Sequence, residues 1–187
     1  MGKTIWFTMI SLDGFATDRK NNIDFHTPNE EVHRYIDILN ESTAVMMLDR
    51  YGYEIMKYWD DPPESDLLDE PVKAYAEQWQ LIKKIIVGDT DGIQRREDYS
   101  LWKELTVEHI DNLLDEVPGD ILVGSSSLAG DLLKLKKLNG IQIITVPVLL
   151  GAGTKNYVDS GEFQLELIDY KIFENGWTYM YYNVLNE

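Results

Sequence analysis

The chain alternates short runs of β-branched and other apolar residues with amphipathic segments, and this alternation most restricts its possible folds. Apolar runs at residues 4–10, 43–48, 82–87, 120–123 and 141–150 have the length and composition of strands. Helical patterns lie between them, at 27–39, 71–80, 107–116 and 125–138, and a weaker one begins near Arg50. Strands that alternate with helices predict an α/β fold, with a mostly parallel central sheet flanked by helices.

The last part of the chain follows a different pattern. Residues 163–173 and 177–185 are strand-like, and Glu174, Asn175 and Gly176 join them. Asn-Gly between two such runs is typical of a β-hairpin, so we expect a C-terminal antiparallel hairpin at one edge of the sheet. The 187 residues show neither an internal repeat nor a linker, which predicts a single domain over residues 1–187.

Several element ends can also be predicted. Thr27 as N-cap, Pro28 at the first helical position and Glu30 three residues after the cap indicate a helix start. Pro147 indicates a strand end, a bulge or an edge strand. Residues 60–70 contain six acidic side chains and two prolines, which favours a solvated loop.

Composition excludes several classes of function. The formal net charge of −16 disfavours nucleic acid and anionic membranes as partners, because phosphate binding depends on Lys and Arg. The chain has no Cys, which rules out disulfides and thiolate metal sites, and its three His lack metal-ligand spacing, so we expect no metal. No apolar run is long enough for a signal peptide or a membrane span. These features predict a soluble cytoplasmic protein.

Ligands of parallel α/β sheets bind beyond the carboxyl ends of the strands. Four segments follow predicted strands there: 11–14, 49–52, 88–90 and 124–127. In the last of these, a glycine and three serines precede a helix, an arrangement that suits either a phosphate site or a helix cap alone. A serine nucleophile is excluded, because Leu128 replaces the second glycine of the motif and no His follows.

Asp13 and the glycine-rich segment 151–153 each allow two interpretations. A carboxylate at Asp13 can accept hydrogen bonds from the N–H groups of a pyrimidine or pteridine, or it can belong to a simple Asp-Gly turn. Gly151 and Gly153 begin like a dinucleotide-binding fingerprint, but Asn156 replaces the third glycine. A tight glycine loop after a buried strand is the alternative.

Taken in order, four segments resemble motifs of the dihydrofolate reductase-like family. They are most similar to the reductase domain of the bifunctional riboflavin-biosynthesis deaminase–reductase and its stand-alone bacterial relatives. The segments are Ser-Leu-Asp-Gly-Phe-Ala at 11–16, Arg-Tyr-Gly-Tyr-Glu at 50–54, Val-Gly-Ser-Ser-Ser-Leu at 123–128 and Pro-Val-Leu-Leu-Gly-Ala-Gly at 147–153. The resemblance spans about residues 3 to 184.

The resemblance implies an NADPH-dependent reductase, with NADH as a possible cofactor. Its small-molecule substrate would be a heterocycle, as for 5-amino-6-(5-phosphoribosylamino)uracil reductase or dihydrofolate reductase, and a homodimer would be expected. The resemblance gives Asp13 a catalytic role, and Ser11, Gly14 and Asp24 a role in substrate binding. It assigns cofactor binding to Asp49, Arg50, Tyr51, Gly52, Gly88, Asp89, Thr90, Gly124, Ser125, Ser126, Ser127 and Leu128.

The chain departs from the family pattern at the cofactor positions. Asp49 replaces a Gly, Gly52 a Thr and Ser125 a Gly, and Gly-Asp-Thr at 88–90 stands where Ser-Arg-Thr is common. A carboxylate at Asp89 repels a 2′-phosphate and accepts from a free 2′-hydroxyl, which favours NADH. Two alternatives stay open: a catalytically degenerate binding or regulatory protein, and a structural partner that associates through its sheet edge or the apolar 141–150 run.

Overall fold

The computed structural model describes residues 2–156 and 160–185. Within these residues, eight strands form one sheet in the order β4-β3-β2-β5-β1-β6-β8-β7. They are β1 (Thr4–Ser11), β2 (Thr43–Asp49), β3 (Lys83–Val87), β4 (Tyr99–Trp102), β5 (Asp120–Val123), β6 (Gly140–Val146), β7 (Gln164–Ile172) and β8 (Thr178–Leu185). Neighbours from β4 to β6 pair in parallel, and the β7–β8 hairpin adds antiparallel to β6. The predicted sheet and hairpin are confirmed.

In the described part of the chain, five helices cover the two faces of the sheet. They are α1 (Glu30–Asn40), α2 (Arg50–Met56), α3 (Glu70–Leu81), α4 (Val107–Glu116) and α5 (Ser126–Lys134). Three 3₁₀ turns lie at Asp24–His26, Lys57–Asp60 and Asp66–Leu68. Alternate strand residues face opposite sides: Met47 packs with α4 and α5, whereas Met46 and Leu48 pack with Trp79 of α3.

Some predicted boundaries were wrong. Thr27 does not cap α1: its hydroxyl donates to the Asp24 carbonyl within the preceding 3₁₀ turn, and Asn29 caps the helix by accepting from the Val32 amide. The predicted helix to residue 138 ends at Lys134, and Lys136 then adopts a left-handed conformation (φ 55°). The strand predicted to residue 150 ends before Pro147, and strand β4 was not predicted.

The acidic segment 60–70 is only partly a solvated loop. Asp60 accepts hydrogen bonds from the Trp79 indole nitrogen (2.8 Å) and the Tyr99 hydroxyl (2.6 Å). Beside it, the fully buried Lys84 pairs with Asp98 at 2.7 Å and donates to the Trp79 carbonyl. Burial lowers the pKa of Lys84, and the bond to Asp98 opposes that shift. This polar cluster ties α3 to β3 and β4.

The parallel strands bring four loop segments to one edge of the sheet. Strand β1 ends at Ser11, β2 at Asp49, β3 at Val87 and β5 at Val123. Backbone hydrogen bonds fix the first residues after two of these strands to a neighbouring strand. The Gly124 amide, after β5, donates to the Met47 carbonyl of β2 (3.0 Å), and the Gly88 amide, after β3, donates to the Trp102 carbonyl of β4 (2.9 Å). This edge is where the sequence places the candidate site.

Candidate functional site

A cleft of about 450 Å³ opens at the carboxyl edge of the sheet. Its floor is strand β1, and its walls come from α1, α2, the start of α5 and the loop after β6. Its lining includes Phe7, His33, Asn40, Met56, Trp59 and Tyr75, with Lys155 on the loop after β6. The cleft has the size and mixed apolar lining of a small-molecule site.

One wall of the cleft is aromatic. The Trp59 and Tyr75 rings lie 4.5 Å apart between centroids, and the His33 ring meets Tyr75 edge-on at 5.8 Å. Nδ1 of His33 lies 3.5 Å from a carboxylate oxygen of Asp37, one helical turn further along α1. Burial, with a smaller contribution from the Asp37 charge, raises the pKa of Tyr75, so its hydroxyl remains neutral.

The polar groups of the cleft differ in how they are satisfied. Asn156 donates to the Thr8 hydroxyl at 2.6 Å, and Nε2 of His26 lies 3.3 Å from the Ala16 carbonyl. Burial lowers the pKa of His26, which keeps its ring neutral near pH 7. Asn40, which is only 5% exposed, also lines the cleft.

Asp49 joins the starts of two helices. One oxygen accepts from the Gly52 amide (2.8 Å), which caps α2, and the other accepts from the hydroxyls of Ser125 (2.5 Å) and Ser127 (2.9 Å) at the start of α5. Ser125 also caps α5 by accepting from the Leu128 amide. The serine hydroxyls that were expected to face a phosphate therefore bind a carboxylate of the protein itself.

A second, shallower depression of about 600 Å³ adjoins the cleft and shares Asp49 and Tyr51 with it. Arg50 and Lys103 bring positive charge to it, and four carboxylates, Asp49, Asp89, Glu104 and Asp131, oppose them. The Arg50 guanidinium is already engaged, since it pairs with Glu54 at 3.0 Å and donates to the Asp91 carbonyl at 2.5 Å. This depression therefore attracts anions only weakly.

Asp13 holds the loop after β6 against the loop after β1. Its carboxylate accepts from the Ser11 hydroxyl (2.7 Å) and the Gly151 and Leu150 amides (2.8 and 3.1 Å). These bonds, that of Ser11 foremost, lower the pKa of Asp13. The glycine-rich loop is tight: a Cβ at Gly153 would lie 1.9 Å from the Thr17 carbonyl oxygen. The geometry gives Asp13 a structural role, and its catalytic role stays a prediction.

The structure brings most of the predicted cofactor residues together. Those lining the cleft or the depression are Asp49, Arg50, Tyr51, Gly52, Gly88, Asp89, Gly124, Ser125, Ser126, Ser127 and Leu128. Ser11, Asp13, Gly14, Asp24 and Thr90 line neither of the two. Gly88 has φ +96°, which favours glycine, whereas Gly124 is small because a Cβ would lie 2.7 Å from Leu48.

Sequence reasoning missed the inner cleft residues His33, Asn40, Trp59 and Tyr75 as a site. The signal on α1 was available: His33, Ile36 and Asn40 recur at spacings of three and four, so they share one helical face. Trp59 and Tyr75 gave no comparable signal, because they reach the cleft from a 3₁₀ turn and from α3.

The residues present suit the pyrophosphate and the planar ring of a dinucleotide better than they suit a 2′-phosphate. The first-turn amides of α5 that no intrahelical carbonyl can satisfy lie at Ser126 and Ser127, beside the cleft and the depression. The apolar cleft has room for a planar ring. In the depression, the carboxylate of Asp89 disfavours an additional 2′-phosphate.

Within residues 2–156 and 160–185, no group of three or more acidic or His side chains is arranged to hold a metal ion. Over the same ranges, no helix combines the length and the apolar character needed to cross a membrane.

Comparison with solved structures defines the class of fold. Dihydrofolate reductase from Enterococcus faecalis, complexed with NADP(H), superposes with a TM-score of 0.60 over 99% of this chain and 98% of its own, at 12% identity. The fold is thus dihydrofolate reductase-like, as the sequence predicted. The model of the RibD C-terminal domain matches residues 3–179, and the chain belongs to that family.

Two further solved structures are similar. A putative riboflavin biosynthesis protein from Shewanella sp. PV-4 is 19% identical, with a TM-score of 0.77 over 98% of this chain and 99% of its own. The Thermotoga maritima deaminase/5-amino-6-(5-phosphoribosylamino)uracil reductase is 9% identical, with a TM-score of 0.68 over 98% of this chain. This chain spans 57% of that bifunctional protein. A comparison with curated proteins found no match.

Proposed function

We propose that the protein is an NAD(P)H-dependent reductase of a small heterocycle. The proposal rests on the cleft and the adjoining depression, which together form one groove. The two share Asp49 and Tyr51 and run along the carboxyl edge of the sheet, past the starts of α2 and α5. Membership of the RibD C-terminal domain family supports an oxidoreductase.

In this proposal the bound cofactor supplies a hydride, and the chain supplies binding, orientation and a proton. The amides of Ser126 and Ser127 bind phosphate oxygens, and the apolar cleft keeps water from the reacting ring. His33 is the group that holds the proton: Asp37 orients its Nδ1 side, which leaves Nε2 to exchange a proton with the substrate.

The identity of the cofactor follows from two opposing considerations. The family resemblance and the NADP(H)-bound structural neighbour support NADPH. The carboxylates of Asp89 and Glu104 in the outer depression favour NADH, because they repel a 2′-phosphate. We propose NADPH as the family cofactor and NADH as one that this chain also accepts.

The proposal includes a homodimer in the cytoplasm. Edge strand β7 is exposed along its length, and Leu167, Ile168, Tyr170 and Ile172 are each about half exposed or more. Exposed apolar edge strands are protein–protein contact sites, and a second copy of the strand is a suitable partner. The absence of Cys accords with a reducing compartment.

A catalytically degenerate binding protein is the second candidate. Its specific support is the Asp49 carboxylate. It accepts the hydrogen bonds of the Ser125 and Ser127 hydroxyls and adds negative charge where phosphates would bind. In that case the cleft binds a small heterocycle without reducing it.

Titration of the purified protein with NADPH and with NADH, followed by tryptophan fluorescence, tests the reductase proposal. Trp59 lines the cleft and serves as the reporter. We expect saturable binding of at least one coenzyme below millimolar concentration, and oxidation of the bound coenzyme when a pyrimidine or pterin is added. Binding of neither coenzyme would overturn the reductase proposal and favour the degenerate one, in which the phosphate site is lost.

A further inference from the structure

We infer that the substrate of this cleft is an uncharged heterocycle with an apolar arm, and not a phosphorylated ribosyl compound. This inference rests on the proposed function and specifies its substrate class. It is carried by three features of the cleft: an aromatic inner wall, a shortage of positive charge and one nearly buried carboxamide among the lining residues.

The inner wall is apolar and firmly packed. Phe7, Met56, Trp59 and Tyr75 line the cleft and also pack against the buried cluster formed by β2, β3 and α3. Trp59 and Tyr75 contact each other at 4.5 Å between ring centroids. Such a surface gains most from contact with another apolar or aromatic group, because both surfaces leave water.

Positive charge is scarce in the cleft. Among the described lining residues, Lys155 carries the only permanent positive charge; it is exposed, and its Nζ lies 5.9 Å from the centroid of Phe15, which does not line the cleft. Residues 157–159 contain no Lys or Arg. His26 is kept neutral by burial, so it offers no charge near pH 7. His33 also lines the cleft, but its Nδ1 lies 3.5 Å from the Asp37 carboxylate, which balances a positive charge on the ring.

The helix starts near the cleft add little attraction for a substrate phosphate. The Asp49 carboxylate lies where α2 and α5 begin, and the first turn of α1 carries Glu30 and Glu31. Among the described residues that line the cleft, one carboxylate, Asp49, opposes one lysine, Lys155, so a phosphate there would meet no net positive charge. Tight phosphate binding normally requires Arg, Lys or an unopposed helix start.

Asn40 indicates where the heterocycle is recognised. Asn40 is only 5% exposed and lines the cleft, and a carboxamide that a bound ligand covers is costly unless the ligand hydrogen-bonds to it. A carboxamide presents one acceptor and two donors, which matches the adjacent N–H and C=O groups of a lactam ring edge. Asn40 shares the cleft face of α1 with His33 and Ile36.

Three ligands with one ring system separate the alternatives. They are 5-amino-6-(5-phosphoribosylamino)uracil, the same compound without its phosphate, and 5-amino-6-(2-phenylethylamino)uracil. Dissociation constants are measured by calorimetry with and without saturating coenzyme. We expect the phenylethyl compound to bind at least about tenfold more tightly than the phosphorylated one, and loss of the phosphate not to weaken binding. Tightest binding of the phosphorylated compound, or no binding of any of the three, would overturn the inference.

Variants of the cleft give an independent check. Asn40→Leu should weaken all three uracils by about tenfold, because the ring edge loses its partner. Tyr75→Ala should weaken the phenylethyl compound selectively. Lys155→Met should leave the ratio of affinities unchanged, and a selective loss for the phosphorylated compound would contradict the inference. The wild-type comparison stands even if a variant fails to fold. Coenzyme binding is measured separately, so a failure of the reductase proposal is distinguishable.

Discussion

The carboxylate of Asp49 accepts a hydrogen bond from the Ser125 hydroxyl at 2.5 Å, although 76 residues separate the two in sequence. The contact forms because β2 and β5 are parallel neighbours and end at the same edge of the sheet. It couples the starts of α2 and α5, and so it sets both the stability of this edge and the charge that a bound phosphate would meet.

Replacement of Asp49 should lower stability and raise coenzyme affinity together. Asp49→Ala removes the cap of α2 and the acceptor of two serine hydroxyls, at a cost of about 2 kcal/mol in the free energy of unfolding. Loss of the negative charge should tighten coenzyme binding roughly fivefold. Urea unfolding and fluorescence titration measure the two effects. Asp115→Asn, on the exposed side of α4, is the control and should change neither.

Replacement of Asp98 and replacement of Lys84 should lower the stability of the protein by different amounts. Asp98→Ala leaves a fully buried ammonium without its carboxylate, whereas Lys84→Met leaves a carboxylate that is 29% exposed and can be hydrated. We expect Asp98→Ala to cost roughly 3 kcal/mol, and Lys84→Met clearly less, because an unpaired buried charge is the larger penalty. Equal losses in urea unfolding would show that burial of Lys84 is not the controlling factor.

Protonation of His26 on mild acidification should lower the stability of the folded protein. Burial lowers the pKa of His26 in the folded state below its ordinary value of 6.5, so the unfolded chain binds the proton first. The contribution of the neutral His26 ring to the free energy of unfolding is constant above about pH 7.5. It is lost as the pH falls through 6.5 toward the pKa of His26 in the folded state. Unfolding midpoints of the wild type and His26→Gln, measured between pH 8 and 5, should therefore differ in slope. Parallel curves would contradict the assignment.

Asp13→Asn separates a structural from a catalytic role. The Ser11 hydroxyl and the Gly151 and Leu150 amides lower the pKa of Asp13, so its contribution to stability is present above about pH 4 and is lost as the pH falls through the lowered folded pKa. The variant should be less stable than the wild type at pH 7 and equally stable at the lowest pH. A large fall in turnover without a change in melting temperature would instead indicate a catalytic role.

Strand β7 should form the dimer contact. Light scattering after size exclusion should give twice the chain mass of 21.6 kDa for the wild type. The double variant Tyr170→Glu/Ile172→Glu places like charges on both copies of the exposed strand and should give the monomer. Leu81→Glu, at an 87% exposed position on α3, is the matched control and should stay dimeric. A wild-type monomer would contradict the proposal.

Periodicity and turn chemistry predicted most of the fold, because the elements involved carry strong local signals. The 174–176 turn and the α4 boundaries are examples. Strand β4 was missed because Tyr99–Trp102 is only four residues long and gains its strand character from parallel pairing with β3. The α1 cap was misplaced because Thr27 and Asn29 are both good caps, and the choice depends on the preceding 3₁₀ turn.

The site was less predictable than the fold. The sequence indicated which loops meet at the sheet edge, but it could not show that Asp49 would bind Ser125 and Ser127, since that contact depends on tertiary alignment. For the same reason it could not show that Asp60 and Lys84 belong to a polar cluster inside the protein. Asn40 was predicted as part of no site, because its place in the cleft wall is visible only once α1 is packed.

We propose that the edge formed by residues 49–52 and 124–128 binds a nicotinamide coenzyme. Crystal structures of the protein soaked with NADPH and, separately, with NADH would show whether it does. We predict density for the dinucleotide along the starts of α2 and α5, with its nicotinamide ring in the cleft beside β1. An empty cleft in both crystals at millimolar coenzyme, or coenzyme bound elsewhere on the protein, would contradict it.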